Sequence, residues 1–134
     1  MPELRPGARV ALAAGVVACA VAVGGCDLAY PEVVVTNRIS AHVLMRNPSF
    51  NGCVWNMTLA YGDSTSPDRC LRGTDHVHFQ KLDLDQEASD PDAPVWFNYQ
   101  TISVRSVGYG STHTFEVTSD DMEQDFSVPG PYGH

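Results

Sequence analysis

The chain has 134 residues, 43% of them hydrophobic, with 16 acidic against 8 basic side chains and a net charge of −8. That length suits a single domain, because a chain of this size already buries roughly two thirds of its unfolded surface. The acidic balance excludes long-range attraction to nucleic acid or to anionic headgroups.

The first residues in chain order read as a targeting segment rather than as part of a fold. Arg5 and Arg9 form a short basic region, and Val10 to Val23 is an uncharged run of Val, Ala, Gly, Leu and one Cys. A bilayer-spanning helix needs about 20 apolar residues, so this run is too short to cross, but it fits the apolar region of a secretory signal. It leads into Val23-Gly24-Gly25-Cys26. An aliphatic residue, two small residues and a cysteine resemble the lipobox of bacterial lipoproteins, with Gly24 standing where Ala, Ser or a β-branched residue is commoner. The resemblance covers Met1 to Cys26 and implies a signal peptide over residues 1–25, cleavage before Cys26, and diacylglycerylation of the Cys26 thiol. One acyl chain anchors only marginally, so several palmitate-type chains are implied. The other reading is an ordinary secretory signal, with Cys26 left as a thiol or disulfide partner.

Cleavage there would remove Glu3, Arg5 and Arg9, leaving six basic and fifteen acidic side chains and a net charge of −9. Cys19 lies in the signal and Cys26 takes the lipid, so Cys53 and Cys70 remain and read as one disulfide of a secreted domain. Residues 26–31 form a short tether and residues 32–134 the domain, expected close to the bilayer. In the enterobacterial sorting scheme an aspartate after the lipidated cysteine, here Asp27, favours inner-membrane retention. Other bacteria follow other rules, so the sequence leaves both membranes open.

From Glu32 onward short runs rich in Val, Thr and aromatics alternate with Gly, Pro, Asn and Asp, which predicts an all-β antiparallel sandwich or open barrel of about six or seven strands. Glu32 to Thr36 is the first expected strand and Ala41 to Arg46 the second, ended by Asn47-Pro48. The third, Gly52 to Leu59, would point Cys53, Trp55, Met57 and Leu59 inward. Asp75 to Leu82 follows, then an acidic Asp83 to Pro94 connection, then a strand at Val95 to Tyr99. A bulge near Gln100 would return Ile102 and Val104 to the core. Ser111 to Val117 is the last strand, and Thr118 or Ser119 could cap one helical turn.

His76-Val77-His78 carries the best chemical lead. Residues two apart on a strand share a face, so both imidazoles could meet one zinc or copper ion. A third ligand would come from His42, His113 or His134. With Val77 and Phe79 buried, His76 and His78 face outward while His113 faces inward beside Phe115, which leaves His42 as the simplest partner. The acidic connection lacks the glycine and spacing of an EF-hand loop, and no serine sits in a Gly-x-Ser-x-Gly elbow. The expected role is therefore non-catalytic binding or scaffolding in the cell envelope, with an envelope protein as partner and no cofactor. A metal-binding protein or metal-dependent enzyme is the alternative. Trp96, opposite Phe97 by alternation, is the expected exposed contact residue.

Overall fold

A computed structural model describes residues 29–90, 92 and 96–127. The expected signal segment, Cys26, Val95 and His134 lie outside the described residues. Among the described residues the fold is all-β with one short helix, in the order β1 (Glu32–Arg38), β2 (Val43–Phe50), β3 (Cys53–Val54), β4 (Thr58–Leu59), β5 (Asp68–Arg69), β6 (Gly73–Asp75), β7 (His78–Asp83), α1 (Leu84–Ser89), β8 (Trp96–Gln100), β9 (Arg105–Val107), β10 (Thr112–Thr118) and β11 (Glu123–Gln124).

Two sheets pack face to face. One has the order β10-β1-β5, and the other β11-β8-β7-β2-β3 with β4 also paired to β2, while β6 and β9 form a separate ribbon. Among the described residues every strand pairing is antiparallel except β1 with β10, which run parallel from Glu32↔Thr112 to Arg38↔Thr118. Val33, Val35, Phe115 and Val117 of the first sheet meet Met45, Phe50, Leu59 and Phe79 of the second. Phe50 and Phe115 stand edge to face with ring centroids 5.0 Å apart, the arrangement the ring quadrupole favours.

Two devices tie the sheets together. Cys53 and Cys70 form a disulfide that links β3 to the segment after β5, and Trp55 beside it in the core donates its indole N–H to the Ser66 carbonyl at 2.8 Å. The other is Asn37, fully buried at the end of β1. Its side chain donates to the carbonyls of Val43 and Leu59 on the opposite sheet and accepts from the Ile39 N–H.

Several strand boundaries differ from expectation. β2 passes through Asn47-Pro48 because its register shifts between Arg46 and Ser49, with Asn47 at φ 51°, and a bulge tolerates a proline. The strand then turns tightly at Asn51-Gly52, where both residues have positive φ and Phe50 faces Cys53 across a two-residue hairpin. Gly52 to Leu59 is two short strands rather than one, though Cys53, Trp55 and Leu59 are buried as expected and Met57 packs against the same core. Asp75 to Leu82 is likewise broken at His76-Val77. The acidic connection opens with α1, whose N-cap Asp83 accepts from the Asp85 and Gln86 N–H groups.

Ile102 and Val104 remain about half exposed. Thr101 is the residue that enters the core, where its hydroxyl accepts from the Val77 N–H and donates to the Ser103 carbonyl. At the expected C-terminal helical turn, Asp121 instead ties back to Ser103 through the Ser103 N–H at 2.7 Å and hydroxyl at 2.5 Å.

Candidate functional site

The outer face of the larger sheet is organised by strand register. Because side chains alternate faces, the pairings set Leu44, Leu82 and Trp96 side by side, then Arg46, Gln80 and Asn98, then Ser49, His78 and Gln100. The first row is apolar. Leu82 and Trp96 are buried there with Leu44 and with Leu84 of α1 packed on them.

Trp96 is therefore only 6% exposed and corrects the expected contact residue. Alternation placed its ring on the outer face as read, but Leu44, Leu82 and α1 cover it, and the Arg46 guanidinium lies 4.2 Å from the ring centroid.

The second and third rows are polar. Arg46 Nε donates to Gln80 Oε1 at 2.6 Å, and Gln80 Nε2 to Asn98 Oδ1 at 3.5 Å. Beside them opens a cavity of about 300 Å³ whose lining includes Asn47, Ser49, His78, Gln80, Asn98 and Asp125. His78 has a carboxylate on each ring nitrogen: Asp75 Oδ1 lies 3.0 Å from Nε2, and Asp125 Oδ2 lies 3.8 Å from Nδ1. His76 turns its Nδ1 to the Thr101 carbonyl at 2.7 Å, which requires Nδ1 to carry the proton. The two imidazole centroids are 6.1 Å apart, although the break at His76-Val77 leaves His76 outside β7.

Hydrogen bonds from the Ser127 hydroxyl and N–H hold the Asp125 carboxyl below the usual carboxylate range. Partial burial opposes this, and the charges of His78 and His76 add to it. For Asp121 burial is the largest influence and acts upward, but the Ser103 hydrogen bonds together with Arg105 outweigh it, so this carboxyl too sits below its ordinary value.

The expected third imidazole is elsewhere. His42 precedes β2 at the end where Val43 faces Asp83, whereas His78 pairs with Ser49. Five residue rises along β7 separate the two ends, roughly 17 Å. There His42 Nδ1 sits 3.5 Å from Asp85 Oδ1 of α1. His113 packs against Phe115 on β10, with centroids 5.6 Å apart. The set His76, His78 and His42 does not converge, because β2 and β7 hold its members at opposite ends. Among the described residues no group of three or more His, Cys, Asp or Glu side chains is arranged to hold a metal ion.

Sequence reasoning missed Asp75, Asp125, Arg46, Gln80 and Asn98. Their assembly depends on cross-strand register and on the return of the chain after β11, and no local motif announces either. What the face offers chemically is a dense set of amide, hydroxyl, imidazole and carboxylate groups suited to holding a polar ligand. Comparison of the chain with protein-family models, curated proteins and solved structures finds no match.

Proposed function

We propose that this protein is a cell-envelope lipoprotein, anchored through acyl chains on Cys26, whose disulfide-stapled β-sandwich binds a partner rather than catalysing a reaction. The observation that carries the reading is Val23-Gly24-Gly25-Cys26 at the end of the apolar run that follows Arg5 and Arg9. The Cys53–Cys70 disulfide supports it, because such bonds persist in oxidising compartments outside the cytoplasm. The polar outer face between Arg46 and Asp125 is the surface offered to an envelope partner. Labelling cells with a radioactive fatty acid tests the anchor: wild-type protein incorporates label and Cys26→Ala does not. Label retained by Cys26→Ala defeats the reading.

A second reading, a zinc- or copper-binding protein, draws on the nearness of His76 and His78, whose ring centroids are 6.1 Å apart. Both nitrogens of His78 already face carboxylates, and His76 has Nε2 left for a ligand. Titration of zinc and copper into the protein and into a His76→Ala/His78→Ala variant decides it. Stoichiometric binding lost in the variant supports a metal site, and equal absence of binding from two folded proteins removes it.

A further inference from the structure

The topology gathers exposed apolar and aromatic side chains at the end of the sandwich where the chain enters. β1 and β10 are parallel, so both begin at this end, and their entry residues Tyr30 and Tyr109 meet with ring centroids 5.6 Å apart. β5 runs antiparallel to β1 and places Arg69 opposite Glu32, so the chain leaves β5 here through Cys70 and Leu71. The β2–β3 hairpin arrives at the same place, its Asn51 carbonyl accepting from the Leu71 N–H at 2.9 Å. Tyr30, Leu71 and Tyr109 are 38%, 59% and 57% exposed. Arg72 lays its guanidinium 4.9 Å from the Tyr109 ring centroid, and Arg69 pairs with Glu32 at 3.7 Å. A cavity of about 380 Å³ opens between Tyr30, Gly52, Arg69 and Leu71.

We propose that this end, formed by Tyr30, Leu71, Arg72 and Tyr109, lies in the headgroup layer of the bilayer that holds Cys26. The proposal rests on lipidation of Cys26. Four residue steps separate Cys26 from Tyr30, and they span at most about 14 Å even when fully extended. That reach is close to the radius of gyration of about 13 Å for a hundred-residue domain, so the tether cannot let the domain turn this end away from the membrane. The chemistry fits the location. Tyrosine places an apolar ring and a polar hydroxyl across a membrane interface, leucine adds apolar area, and arginine keeps its charge among the headgroups. The domain is acidic as a whole, so contact depends on proximity supplied by the anchor rather than on long-range attraction. The far end carries His42 and α1.

The test uses the full lipidated protein in vesicles of phosphatidylethanolamine and phosphatidylglycerol. Spin labels are placed at Gly108→Cys, where an added Cβ meets nothing within 4 Å, and at Ala88→Cys, on exposed α1 at the far end. The Gly108 label is expected to lose access to a water-soluble nickel chelate several-fold relative to the Ala88 label. Adding Leu71→Ser and Tyr109→Ser should restore that access while the protein still floats with the vesicles. Equal access at both labels in floating protein overturns the docking and leaves the anchor standing. Protection that disappears on dilution with lipid identifies a second copy as the occupant and also overturns it. Failure to float, with no lipid mass on the Cys26 peptide, overturns the anchor and the docking with it.

Discussion

Asn37→Ala removes the polar tie between the two sheets. The Asn37 side chain makes three hydrogen bonds in a fully buried position, to Val43 O at 3.2 Å, to Leu59 O at 3.0 Å and from Ile39 N at 3.0 Å. Each such bond contributes about 1 kcal/mol net, and a buried partner left unsatisfied costs about 1–3 kcal/mol, so the substitution should destabilise by about 3–5 kcal/mol. In a domain of this size that corresponds to a melting temperature lower by roughly 12 °C or more. Urea denaturation at constant slope is the assay. Arg38→Ala, the next residue, is the control: its half-exposed pair with Glu116 at 3.6 Å should be worth no more than about 1 kcal/mol. Asn37→Asp sharpens the test by setting a carboxylate against two carbonyl oxygens. Such a group favours its protonated form when folded, so the deficit of this variant should shrink as pH falls. A loss below about 1 kcal/mol for Asn37→Ala would mean that the buried partners find acceptors or donors without Asn37 and that this side chain does not tie the sheets.

The disulfide closes a separation of 17 residues, and Cys53→Ala/Cys70→Ala should cost about 3 kcal/mol in the chain-entropy model, read by urea denaturation under non-reducing conditions. Trp96→Ala should cost about 3–5 kcal/mol because the ring is buried between Leu82 and Arg46, and a loss within about 0.5 kcal/mol would restore the view of Trp96 as a free surface residue. Asp121 and Asp125 have folded pKa values below their unfolded ones, so their stabilisation is complete above about pH 4 and is lost as pH falls through the folded values. Asp121→Asn/Asp125→Asn should therefore be less stable at neutral pH and show a flatter acid limb in melting temperature against pH, and an unchanged limb would contradict this assignment.

The sequence carried the fold class because β-sandwich residues announce themselves locally. Alternation marked Cys53, Trp55, Val77, Phe79, Phe115 and Val117 as inward, and the core contains all of them. It misled where a position is set by partners distant in sequence. Trp96 faces outward as the alternation said, yet α1 and Leu44 bury it. Ile102 and Val104 look like core residues but stay at the surface because the Thr101 hydroxyl takes the interior position. Asn47-Pro48 looks like a strand end, but the bulge there absorbs the proline and the hairpin comes later, at Asn51-Gly52. The nearness of His76 and His78 was legible from their spacing, although the chain breaks between β6 and β7 at His76-Val77. Asp75 and Asp125, which flank His78, were not, because one belongs to the β6–β9 ribbon and the other follows β11.

Everything proposed for this protein's location depends on Cys26 being the lipidated first residue of the mature chain. Mass spectrometry of the N-terminal peptide, isolated from membranes of the native host, tests it directly. The expected result is a peptide beginning at Cys26 and carrying a diacylglyceryl group. A mature chain beginning at any other residue, or one with an unmodified Cys26 thiol, would contradict it.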